Sequence, residues 1–120
     1  MPESQGSLPL IQGTVDMLIL QALTAGPNHG YGVCNFIRER TGGDVLIEDA
    51  ALYKALHRLE SKELVESDWG RSDNNRRAKF YEITRAGRRV LADESATWRR
   101  YAAAVFRVLD PRLARALESA

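Results

Sequence analysis

Apolar residues along this 120-residue chain change their spacing twice, and few folds accommodate both changes. From Gly13 onward, Val15, Leu18, Ile19, Ala22 and Leu23 recur three and four residues apart, the period of a helix buried along one side. Asp16 near its start suits the positive end of the helix dipole. Gly26-Pro27 ends it, because the residue before a proline is steered away from helical geometry. A second helix is predicted from about Asn28 to Gly30 through Thr41, with Val33, Phe36 and Ile37 facing inward. Gly42-Gly43 then supplies the left-handed backbone in which helices commonly stop. After Val45-Leu46-Ile47 a third helix opens with Glu48 and Asp49. Its inward stripe is Leu52, Leu56 and Leu59, widened by Ala55. The opposite face carries Ala50, Lys54, Arg58 and Ser61, with Tyr53 and His57 on its flank.

The period then becomes two. Leu64 to Trp69 alternates, with Val65, Ser67 and Trp69 on one side, and Lys79 to Thr84 alternates again, setting Lys79, Tyr81 and Ile83 against Phe80 and Glu82. Between them GRSDNNRRA is rich in turn formers and too polar for a core, so a two-stranded hairpin with a long basic tip is expected. The helical period returns after Thr84, which is placed to cap a helix running from about Arg85 to Leu109. Leu91, Trp98 and Val105 are seven apart and Tyr101 and Val108 form a second row, a near-heptad seam in which Glu94 holds one expected apolar position. Asp110-Pro111 breaks this helix, and the remaining residues can add a short one.

The fold class expected is therefore mainly α with a two-stranded β-hairpin: a winged helix-turn-helix plus a C-terminal dimerisation helix. Its divisions are a flexible arm at 1–9, the winged domain at 10–84, the dimerisation helix at 85–109 and a tail at 110–120. Composition removes several competing classes. No run approaches the roughly eighteen apolar residues of a membrane span, and MPESQGSLPL lacks the features of a signal peptide. The single cysteine, Cys34, leaves no internal disulfide framework and fits a reducing, cytoplasmic setting.

Net charge is only +1, but its distribution is uneven. Residues 71–89 carry 7 Lys/Arg against 2 Asp/Glu, a balance of +5, whereas residues 1–65 carry 5 against 8. A local basic block on a near-neutral chain is either a solvated hairpin or a polyanion contact, and the order of elements around it favours double-stranded DNA. In a winged helix the third helix enters the major groove and the wing reaches the backbone or minor groove. Lys54 and Arg58 share one helix face, and Ala51 leaves room for a phosphate to approach the backbone. Arg71, Arg76, Arg77 and Lys79 put four cations on the wing, where Asn74 and Asn75 add hydrogen-bonding groups. Each phosphate so neutralised changes the salt exponent of binding by about 0.9.

Four blocks in this order, GTVDMLILQAL, HGYG, ALYKALHRLESKELV and NNRRAKFYEITRAGR, resemble the PadR family of bacterial transcriptional regulators over roughly residues 10–109. The single long C-terminal helix resembles the short form of that family. The resemblance implies a homodimeric repressor of its own or a neighbouring operon, relieved by a small aromatic or lipophilic effector. It also favours Tyr53 as a phosphate contact, where spacing alone leaves packing against the wing open. Where the family usually reads Gly-Ser-Leu-Tyr-Pro-Ala-Leu, this chain has Ala50 to Leu56 with Ala51 in place of the hydroxyl and Lys54 in place of the proline. The first change removes a phosphate contact or cap, and the second adds a cation to the recognition face.

The remaining chemistry-bearing residues have modest readings. Cys34 lies beside the apolar face of the second helix with no His or Asp clustered near it, which suits a structural thiol better than a nucleophile. His29 and His57 are 28 residues apart with no ligand-spaced partner, so no metal site and no cofactor are expected. His29 reads as a hydrogen-bonding group at a helix start and His57 as a flank residue of the recognition helix. Trp98 has two compatible readings, packing against a partner helix or stacking on a flat effector, and Val15 and Met17 could line the same cavity. No constellation of acid, base and nucleophile suggests an enzyme. The competing class is a winged-helix module that binds protein through its hairpin without recognising specific DNA.

Overall fold

The computed structural model describes residues 8–11 and 13–118, so most of the expected N-terminal arm and the last two residues of the tail lie outside the described residues. Eight elements follow in chain order: α1 (Thr14–Ala22), β1 (Asn28–His29), α2 (Gly30–Arg40), α3 (Asp49–Ser61), β2 (Val65–Arg71), β3 (Arg77–Ile83), α4 (Arg85–Leu109) and α5 (Pro111–Glu118). The chain divides into two compact units, up to Arg88 and from Arg89.

Most of the first unit's core lies on the stripes that the helical period marked. Ile19 of α1 and Leu23 at its C-cap, Val33 from α2, and Leu52, Leu56 and Leu59 from α3 are fully buried, joined by Leu20 of α1, which the period did not mark, and Val65 from β2. Each such side chain contributes about 1.5–3 kcal/mol of burial, enough to hold three short helices that would not persist alone. His29 caps α2, its Nδ1 accepting from the Gly32 N–H at 3.1 Å, as a helix-start role requires. Near the end of the arm, the Leu8 N–H donates to the Asp44 carbonyl at 2.7 Å.

The sheet has three antiparallel strands in the order β1-β3-β2, not two. The added strand is Asn28–His29, pairing with Tyr81 and Phe80 at residues expected to begin the second helix. Two residues are too few to show alternation, and Pro27 leaves the chain extended where an edge of β3 is free to take it. The basic tip is also shorter than the composition suggests. β2 and β3 pair as far as Arg71 opposite Arg77, leaving only Ser72–Arg76 to turn. There the Asn75 N–H donates to the Ser72 carbonyl at 2.8 Å and the Ser72 N–H to the Arg76 carbonyl at 2.9 Å. Asn75 takes a left-handed φ of 63°, the conformation that closes a three-residue hairpin loop and that asparagine tolerates.

Thr84 joins the wing to the long helix. Its hydroxyl donates to the Glu63 carbonyl at 2.8 Å and accepts from the Gly87 N–H at 3.0 Å, capping the first turn of α4. Gly87 is required there, since a Cβ would collide with the Leu64 carbonyl and press on Ile83. In the second unit Ala103 of α4 and Ala114 of α5 are buried, and Arg107 forms an ion pair with Glu118 at 2.5 Å. No helix among the described residues is long and apolar enough to cross a membrane.

Candidate nucleic-acid interface

Burying Leu52, Ala55, Leu56 and Leu59 against the core turns the other side of α3 outward, and Ala51, Tyr53, Lys54, His57 and Arg58 are all exposed. Arg58, however, is not free. It forks onto Asp16 of α1, with Nη2 at 2.5 Å from one carboxylate oxygen and Nε at 3.2 Å from the other. That hydrogen bond holds its guanidinium pKa above the usual arginine value. The expectation that Lys54 and Arg58 act together is thus modified, because a carboxylate 42 residues away has claimed Arg58. Lys54 stands on the face without such a pair among the described residues.

The wing presents Arg71, Asn74, Asn75, Arg76 and Arg77 to solvent, with Lys79 half-buried. Some of these groups also serve the turn. Arg71 donates to the Asn75 carbonyl at 3.3 Å, and Asn74 Oδ1 accepts from the Ser72 hydroxyl at 2.6 Å. The Arg77 guanidinium lies over the Trp69 ring, 4.2 Å from its centroid, a cation–π contact that fixes the direction of the cation.

A groove of about 1050 Å³ separates the wing from the helices. Its walls bring together Tyr53 of α3, the start of α2 with Tyr31, and the wing residues Trp69, Asn74, Arg76, Arg77 and Lys79. Two glycines of the HGYG block shape it. A Cβ at Gly30 would lie 2.5 Å from the Tyr53 hydroxyl, and one at Gly32 would collide with the Asn28 side-chain amide. The block is therefore small where α3 and β1 press against α2. Ala51, His57, Arg58, Arg71 and Asn75 are outside this groove, on the faces beside it.

Residue-type reasoning overlooked Tyr31 and Trp69. Tyr31 is exposed within HGYG, a block read only for the family resemblance, and Trp69 was read only as part of a strand's alternation. The signal available was a large aromatic on the end of a strand whose neighbours are polar.

The other sequence-derived residues fall elsewhere. Val15 and Met17 are half-buried on α1. On α4, Trp98, Tyr101 and Val108 are exposed and Val105 is half-buried, with the Trp98 and Tyr101 rings stacked 5.8 Å apart. Leu91 is buried within the chain, so it offers little surface to a seam with another copy. Cys34 is half-buried with its thiol 3.5 Å from the Ile47 carbonyl. Burial, then the Asp49 charge, push its pKa up, and Arg38 opposes them. Among the described residues no group of three His, Cys, Asp or Glu side chains is arranged to hold a metal.

Residues 19–93 match the family described as Transcriptional regulator PadR-like. The fold is similar to that of a transcriptional regulator from Clostridium thermocellum, with 28% identity, a TM-score of 0.73, and coverage of 80% of this chain and 90% of that one. A PadR family transcriptional regulator from Eggerthella lenta is 31% identical, with a TM-score of 0.70 over 82% of this chain and 84% of that chain. The PadR of Bacillus subtilis, solved in complex with operator DNA, shares the fold at 21% identity and a TM-score of 0.59, over 67% of this chain and 45% of that one.

Proposed function

This chain belongs to the PadR-like family of transcriptional regulators, not to a family of enzymes, and we propose that it is a homodimeric, sequence-specific DNA-binding repressor of its own or a neighbouring operon. The observation that carries this reading is the groove that sets Tyr53 of the recognition helix opposite the wing cations Arg76, Arg77 and Lys79. A groove with a tyrosine hydroxyl on one wall and cations on the other suits a phosphodiester strand, which fixes register while Lys54 and His57 on the adjoining face read base edges. Ala51, Arg71, Asn74 and Asn75 complete the proposed contacts. Arg58 joins them only if it leaves Asp16.

The exposed row of Trp98, Tyr101 and Val108, with Val105 beside it, supports pairing with a second copy, since monomers rarely leave such aromatic surface uncovered. A two-fold axis would place two recognition helices in successive major grooves about 34–36 Å apart. A small aromatic or lipophilic effector would relieve repression only through different affinities for the two dimer states.

The test is fluorescence anisotropy with labelled DNA from upstream of the chain's own coding sequence, against a shuffled duplex and across a salt series. The expected outcome is at least tenfold preference for the native duplex, falling steeply with salt. Equal, weak binding to both, with a protein partner lost on charge reversal at Arg76 and Arg77, would favour the protein-interaction module instead.

A further inference from the structure

Trp69 is left in an unusual state for so large a side chain. It is 55% exposed, it lines the groove between wing and helices, and one face of its ring is covered by Arg77. In the ladder it stands directly opposite Lys79, so two cations border it. Its indole N–H, a donor with no acceptor function of its own, makes no hydrogen bond among the described residues. Structure alone does not require an indole here. Covering Arg77 needs a ring, and a phenylalanine supplies one, whereas tryptophan adds an N–H beside two positive charges.

We propose that the Trp69 indole N–H donates to a phosphate oxygen of the DNA strand lying in this groove, while its ring holds Arg77 toward the same strand. The inference rests on the DNA-binding reading above and adds to it a residue of different chemistry. An N–H donor flanked by cations matches an anionic acceptor, and a neutral or cationic partner would leave Arg77 and Lys79 uncompensated. Contact is to the backbone, so it does not depend on base sequence and operates on any duplex the protein binds.

The experiment uses the full chain labelled with 5-fluorotryptophan, whose two resonances, from Trp69 and Trp98, are assigned independently by Trp69→Phe and by Trp98→Phe. A random-sequence duplex is added at about 50 mM salt, where phosphate contacts alone sustain binding. The Trp69 resonance is expected to shift on saturation. Trp69→Phe, which keeps a ring beneath Arg77 but removes the N–H, is expected to weaken binding roughly tenfold with the salt exponent unchanged. Arg77→Ala, by contrast, lowers that exponent by about 0.9. An unmoved Trp69 resonance with DNA bound, or a Trp69→Phe affinity equal to the parent's, overturns the inference and leaves the DNA-binding reading standing. Failure of the parent protein to bind any duplex at low salt overturns that reading itself. The fluorine signal of the unsubstituted chain decides the matter even where Trp69→Phe folds poorly.

Discussion

Arg58 sits one helical turn after Lys54, yet its guanidinium, though exposed, is forked onto Asp16 rather than left unpaired. Pattern reasoning reads helix faces well, because side-chain direction follows from the 3.6-residue period. It does not read partners, because the choice of Asp16 depends on how α1 and α3 pack. Replacing Asp16 with Asn should release Arg58 and, if a phosphate is within reach, steepen the salt exponent of DNA binding by about 0.9. An unchanged exponent in a salt titration would mean that Arg58 stays off the DNA. Cys34 carries a second prediction. Burial raises its thiol pKa in the folded chain above the ordinary 9.0, so its contribution to stability is intact below that pH. The contribution shrinks as pH rises through the folded value, since the thiolate is then favoured by unfolding. Alkylation of the native chain should accordingly lag that of the urea-unfolded chain near pH 9.0 and catch up only at higher pH. Equal rates would show the thiol to be unburied.

Among the elements, the wing shows how local chemistry and long-range pairing divide the work. The alternation of Val65, Ser67 and Trp69, and that of Lys79, Tyr81 and Ile83, was legible, and so was a turn within GRSDNNRRA. The strands run further, to Arg71 and Arg77, because backbone pairing continues wherever the turn lets it, whatever the polarity of the side chains. The short β1 strand was not legible, being a response of Asn28 and His29 to the free edge of β3. Thr84 and Gly87 hold the base of the wing to α4. Gly87→Ala should cost about 1–3 kcal/mol, since its Cβ meets backbone that cannot yield cheaply. Thermal melting would show this as a fall of several degrees in Tm, and an unchanged Tm would mean that α4 can shift without penalty. Arg76→Ala should leave Tm unaltered and lower the salt exponent of DNA binding by about 0.9, because its side chain is exposed at the tip.

For the molecule as a whole, the exposed aromatic row on α4 makes the sharpest demand. Trp98, Tyr101 and Val108 are exposed, and in the proposed dimer a second copy of the same row would cover them. Light scattering at micromolar concentration should therefore return twice the mass of 13.4 kDa. Val105→Asp should move it toward a single chain by setting a carboxylate in the seam. A monomeric parent would remove the dimer, and with it the paired half-sites about one helical turn apart.

Periodicity and turn chemistry are properties of residues near one another in the chain. For that reason the amino-acid sequence by itself determined three helices, a hairpin, a long final helix and the four blocks that mark the family. The tertiary structure alone decided which cation is spent on an internal carboxylate, which strand completes the sheet, and that Tyr31, Tyr53 and Trp69 line one groove. Those outcomes join residues as far apart as Asn28 and Tyr81, against 42 positions for Arg58 and Asp16. Packing of the buried leucines and isoleucines sets such distances, and no spacing rule along the chain contains them.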